Sequence, residues 1–173
     1  GKFTSRQRFA MQYGWCAARI KMPRSQGSVG RAWFPAFWML LVGYNTSPYY
    51  AEFDIIEQFG NSSNYASHFY MDQQTNNNNL DNDVNSTDSN LDYRTYWMLW
   101  EPERIRVGVD QIQIGDWNSS DMAPGVWVQH FQQPMYYIIN FAAAPSWLPA
   151  PQASDFPAQM SVDWVWYKPL STL

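Results

Sequence analysis

Apolar and polar residues alternate along most of this chain with a period of two, the pattern of strands whose successive side chains point to opposite faces. Between positions 15 and 22, Cys16, Ala18, Ile20 and Met22 share one face and Arg19 and Lys21 the other. From 104 to 110, Ile105, Val107 and Val109 oppose Arg104, Arg106 and Asp110, and Ile112 and Ile114 resume after a hairpin expected at Asp110-Gln111. That turn lacks the glycine usual in short hairpins. Near the end Met160, Val162, Trp164 and Trp166 alternate with Ser161, Asp163, Val165 and Tyr167, which predicts Trp164, like Trp100, as core. Further strands are expected over 34–42, 51–59, 65–72, 94–101, 126–131 and 135–142, and no segment carries a convincing helical period. So many short strands with polar turns predict an all-β chain, an antiparallel sandwich.

Two segments break the pattern. Positions 73–90, with Asn76-Asn77-Asn78-Asn79 and several Asp, form the one low-complexity stretch and are expected to be a long solvated loop. Positions 145–157 carry Pro145, Pro149, Pro151 and Pro157 around Trp147. Proline stiffens a loop by fixing φ, so this one is expected to form a rigid rim that presents an indole.

The acids are not scattered evenly through the strands. Glu52-Phe53-Asp54-Ile55-Ile56-Glu57 sets three carboxylates in an apolar stretch. In a regular strand Glu52 and Asp54 share a face, while Glu57, an odd number of residues beyond Asp54, points away. A one-residue bulge at Ile55-Ile56 would return Glu57 to that face, and bulges are common beside active sites. Like charges on one face repel, a cost that a passive surface has no reason to concentrate. Two carboxylates flanking a bond, with a third between them, are what glycoside cleavage requires.

Composition narrows the partners. The 173 residues suffice for one domain with a proper core. Aromatic residues make up 18% of the chain, with 10 Trp and 11 Tyr, more than a core alone demands and suited to amphipathic surfaces that grip sugar rings. A net charge of −4 without a basic run argues against nucleic acid and anionic membranes, and no apolar run approaches a membrane span. Cys16 is the single cysteine, so no intrachain disulfide can form. Sequons begin at Asn45, Asn61, Asn85 and Asn118, all in expected loops or strand ends; glycosylation there would mean a secreted protein.

One family shares this order of motifs. Tyr13-Gly14, Ala18-Arg19-Ile20-Lys21-Met22-Pro23, Phe34-Pro35-Ala36-Phe37-Trp38-Met39-Leu40, Glu52-x-Asp54-x-x-Glu57, His68 and Tyr96-x-x-x-Trp100-x-Pro102-x-Arg104-Ile105 follow one another. Val109-Asp110, Pro134-Met135, Asn140, Phe156-Pro157 and Met160-x-Val162-Asp163-x-Val165 complete the set. Over almost its whole length the chain resembles glycoside hydrolase family 16, and its bulged acid motif resembles the laminarinase-like endo-β-1,3-glucanases. The resemblance implies a jelly-roll sandwich of two curved antiparallel sheets with a glycan cleft on the concave side. It begins inside the family pattern, so the chain is expected to be a single domain, 1–173, with N-terminal strands missing and a sheet edge left open.

Carried over by position, the resemblance makes Glu52 the nucleophile, Glu57 the general acid/base and Asp54 the helper between them. Negative charge on Glu52 is then expected to favour the protonated form of Glu57. Trp38, His68 and Asn140 are expected to contact substrate, with Trp33 and Trp147 as further sugar platforms. No metal and no cofactor are expected, the partner being a β-glucan or related polysaccharide. The function expected is a retaining endo-glycosidase acting on β-1,3- or mixed-linkage β-glucan. Two alternatives stay open: a transglycosylase of the same fold, or a non-catalytic glycan-binding or matrix protein that keeps the sandwich.

Overall fold

A computed structural model describes residues 1–23, 30–46, 49–60, 64–71, 80–85, 92–143 and 146–172. Among the described residues eleven strands form two antiparallel sheets. The first sheet joins β1 (Lys2–Thr4), β10 (Met135–Ala143), β3 (Trp33–Leu41), β4 (Glu52–Gln58), β5 (Asn64–Tyr70) and β6 (Leu80–Asn85), in that order. The second joins β11 (Ser161–Pro169), β2 (Gly14–Lys21), β7 (Arg94–Glu101), β8 (Arg104–Val109) and β9 (Ile112–Asn118).

The period-two residues close the core between the sheets. Cys16, Ala18, Ile20 and Met22 from β2 and the turn after it meet Phe37, Met39, Phe53, Ile55, Ile56 and Phe69 from the first sheet. Phe53 lies at the centre, its ring 5.2 Å from Trp100, 5.0 Å from Phe69 and 4.9 Å from Phe131. Aromatic contacts at these separations add about 1 kcal/mol each beyond the area they bury. Burial pushes the Cys16 thiol up to about 12, which makes it an inert packing residue. The hairpin at Asp110-Gln111 forms without glycine because Asp110 itself takes φ 52°, a left-handed conformation that Asp tolerates.

Four expectations are corrected. Residues Val126–Phe131 form a helix, α1, and not a strand; Gly125 starts it at φ 86° and it buries Trp127 and Phe131, four residues apart on one face. Two apolar anchors in six residues fit either period. The expected loop 73–90 contains strand β6, while Asn76 to Asn79 lie outside the described residues. A short β1, unforeseen in so polar a segment, pairs with β10 through Phe3↔Ile139. Finally, Trp164 is not core. The register of β11 on β2 slips between Val162 and Trp164, and a bulge inverts every later side chain. Met160, Val165 and Tyr167 pack on the core, and Trp164 and Trp166, which follow the slip, face solvent.

Candidate active site

The face of the first sheet turned away from the core carries the acids. Along β3 and β4 the register pairs Leu40 with Glu52, Trp38 with Asp54, Phe37 with Ile56 and Ala36 with Glu57. Ile55 has no counterpart, and the pairing of β4 with β5 slips in the same place, from Asp54↔His68 to Glu57↔Ala66. This is the bulge that the spacing demanded. Both isoleucines go into the core, and Glu52, Asp54 and Glu57 come out on one face. The buried Ser67 hydroxyl donates to the Asp54 carbonyl at 2.8 Å, satisfying backbone that the bulge takes out of the ladder.

Around the acids each polar group has a defined setting. His68 Nδ1 lies 2.6 Å from Glu57 Oε2. The Tyr50 hydroxyl donates to Glu52 Oε2, and Tyr50 is held in turn from α1, where His130 Nδ1 lies 2.6 Å from its carbonyl oxygen. A carbonyl can only accept, so this imidazole carries its proton on Nδ1. Asp54 is buried, and its Oδ2 has no hydrogen-bond partner among the described residues.

Burial dominates the electrostatics. It pushes the Glu52 carboxyl up to about 7, the Tyr50 hydrogen bond pulling the other way, Glu57 adding to the rise and His68 opposing it. Asp54 sits well above the usual carboxylate range, through burial first and then the charges of Glu57 and Glu52. The displacement favours the protonated form of Asp54, which could donate a hydrogen bond where a carboxylate could only accept one. Asp54, Glu57 and His68 bring one ligand atom each within 4.8 Å of one another, a set that could hold a divalent cation.

The expected sugar contacts divide. Trp38 stands beside Asp54 on the acid face, its indole N–H donating to Asn140 Oδ1 at 2.7 Å, while Asn140 Nδ2 donates to the Phe34 carbonyl at 3.1 Å. Asn140 thus holds the Trp38 ring. Trp147 is 55% exposed and rests edge-on against Phe34 at 5.0 Å, with Phe59 continuing the aromatic line to within 5.9 Å of His68. Its loop is pinned by Asp155, whose carboxylate accepts from the Gly30 and Gln152 N–H groups, each at 2.7 Å. Trp33 is a correction. It is 2% exposed, wedged edge-on between Phe141 and Phe156, and has no ring face to offer a sugar.

Sequence reasoning missed Tyr50 and His130. Tyr50 had one legible sign: it lies two residues before Glu52, hence on the same face if the strand extends. His130 had none, because its six-residue segment fits the period of a strand as well as that of a helix. A cavity of about 580 Å³ beside Lys21, Tyr93 and Phe156 lies apart from the acids; the carboxylate in it, Asp155, is committed to backbone N–H groups. Of the sequons, Asn45 is exposed in a turn and Asn118 ends β9. Asn85 ends β6, and Asn61 lies outside the described residues.

Known proteins resemble this chain in sequence and fold. Residues 1–166 match the glycosyl hydrolases family 16 model. Over 170 residues the chain is 30% identical to a keratan-sulfate endo-1,4-β-galactosidase of Sphingobacterium multivorum, covering 95% of this chain and 39% of that protein. It is also 30% identical over 180 residues to a glucan endo-1,3-β-glucosidase A1 of Niallia circulans, covering 95% of this chain and 25% of the other. The chain thus spans well under half the length of either relative. The catalytic domain of a Thermotoga petrophila laminarinase superimposes with a TM-score of 0.84 at 21% identity, over 98% of this chain and 69% of that one, which establishes the expected jelly-roll sandwich. The chain belongs to glycosyl hydrolase family 16.

Proposed function

We propose that this protein is an endo-acting β-glycan hydrolase that cleaves β-1,3- or mixed-linkage β-glucan with retention of configuration. The observation that carries the reading is the bulge at Ile55, which turns Glu57 onto the face of Glu52 and Asp54. In this reading Glu52 attacks the anomeric carbon as carboxylate while Glu57 protonates the departing oxygen. Glu57 then takes a proton from water, and the hydroxide released to the anomeric carbon frees the sugar from Glu52. Asp54 orients the nucleophile by hydrogen bonding, Tyr50 holds its other side, and Trp38 and Trp147 offer ring faces to the chain. Retention needs the carboxyl pair about 5 Å apart. A polymeric substrate places the enzyme outside the cell, in keeping with exposed Asn45 in a glycosylation triplet.

The test is reducing-end release from laminarin, mixed-linkage glucan and agarose, with product anomers followed by NMR. Agarose is included because one relative, as similar in sequence as the glucosidase, is a galactosidase. The Glu52→Gln variant is expected to lose activity by at least about a thousandfold. Comparable turnover by that variant removes Glu52 from the mechanism, and inversion at the anomeric centre removes the covalent route.

A further inference from the structure

Charge is distributed very unevenly in this sequence. Glu52 is its first acidic residue, and 7 of the 11 basic residues precede it. Three of those, Lys2, Arg6 and Arg8, come together along the β1 edge of the sheet that carries the acids. None of the three pairs with a carboxylate among the described residues. Lys2 Nζ lies 5.7 Å from the Trp38 ring centroid, and the Arg6 guanidinium 5.5 Å from that of Tyr44.

The arginines sit on a turn built to hold them. Ser5 is buried and fixes both ends of the turn. Its carbonyl accepts from the N–H groups of Arg8 and Phe9, and its hydroxyl donates to the Phe9 carbonyl at 2.9 Å. The same hydroxyl accepts the Tyr137 N–H at 3.1 Å, and the Ser5 N–H returns to the Tyr137 carbonyl, tying the turn to β10. Gln7, at the tip, takes φ 63°. Such a conformation is rare outside glycine, and it sets the tip of the turn between Arg6 and Arg8. Together with Val42, Gly43 and Tyr136 they line a pocket of about 410 Å³.

This pocket continues the acid face. Tyr136 pairs with Leu40, which pairs with Glu52, so its side chain stands in the row of the nucleophile two strands away, about 10 Å. Burial raises the Tyr136 phenol, Arg6 pulls it down and Glu52 pushes it up, so one ring feels both charges. Tyr44 and Tyr50 pack on the same small cluster of Leu40, Tyr136 and Ile138. The arginines are exposed and, among the described residues, form no ion pair with the acids. Guanidinium groups over an aromatic floor suit a fixed anion, which they grip with paired N–H donors.

We propose that the Ser5–Phe9 turn is an anion subsite of the cleft, at which Arg6 and Arg8 hold a sulfate ester or a uronate carboxylate carried by the glycan. The inference rests on the hydrolase reading and deepens it: among the β-glycans the cleft takes, one that carries an anionic substituent is preferred to its neutral counterpart. Lys2, above Trp38, extends the same basic rim toward the acids.

Binding is measured by calorimetry with the Glu52→Gln protein, which keeps the cleft without turnover. The glycans are a sulfated β-galactan with its desulfated counterpart, and a uronate-bearing β-glycan with its carboxyl-reduced counterpart. Either charged form is expected to bind at least about tenfold more tightly than its neutral partner, and which of them does so identifies the anion. Adding Arg6→Gln and Arg8→Gln brings the pair within about twofold, whereas Arg6→Lys with Arg8→Lys keeps part of the preference; melting temperatures confirm that each variant is folded. Equal or undetectable binding of charged and neutral forms, or a preference that survives loss of both arginines, overturns the subsite. Reducing-end release by the unmodified protein reads the other claim separately. Charge discrimination without cleavage ends the hydrolase reading and leaves the subsite standing.

Discussion

Tyr50 tempers the effect of burial on the pH at which the acid cluster can work. In the proposed mechanism Glu52 attacks as a carboxylate, and burial holds it up to about 7 while the Tyr50 hydrogen bond favours the charged form. Activity should therefore rise with pH through the neutral range. Tyr50→Phe removes a stabiliser of the carboxylate, so the acid limb of kcat/KM should move to higher pH, with about a tenfold loss near pH 6. An unmoved limb in a folded variant would show that Tyr50 does not tune Glu52. The same shift bears on stability. A carboxyl whose folded value is raised favours folding below its unfolded value and withdraws that support as pH climbs toward 7. At this scale the three acids were legible because an odd spacing in an apolar strand demands a bulge. The upward displacement of Glu52 and Asp54 was not, since burial depends on what Phe53, Trp38 and His68 place around them, and one strand of sequence holds no record of that.

Helix α1 is the element through which the second half of the chain reaches the site. It rests on the core through Trp127 and Phe131, the indole of Trp127 donating to the Pro102 carbonyl at 2.7 Å. This anchoring lets His130 grip the Tyr50 carbonyl. His130→Ala should lower kcat about threefold to tenfold and move the acid limb in the same direction as Tyr50→Phe. A purely structural role for His130 would lower the melting temperature and leave the pH profile in place. The strands themselves were easy to read, because alternation in β2 and β8 follows directly from burial on one side. What failed was phase and period: six residues of α1 are too few to separate 3.6 from 2, and the slip after Val162 inverts β11 while leaving its alternation intact. Strand β1 failed for another reason, its three residues being exposed and its pairing set by β10.

Across the whole molecule the two sheets divide the labour, one supplying the acids on its outer face and both supplying the core. The acids, the aromatic line to Trp147 and the arginine turn lie on one side, served by β3, β4, β5, β10 and the segments that join them. The far edge carries the inverted strand β11. Three of the ten indoles are strongly exposed, Trp147 at 55%, Trp164 at 40% and Trp166 at 49%, and they fall on both sides of this divide. Collisional quenching of intrinsic fluorescence by iodide should therefore resolve an accessible fraction from a shielded one. Of the three exposed indoles a bound oligosaccharide should protect only Trp147, so that Trp147→Phe lowers the protection while Trp164→Phe and Trp166→Phe leave it unchanged. The slip at Asp163 thus gives the molecule its own reference signal, two emitters far from the cleft against which occupancy of the third can be read.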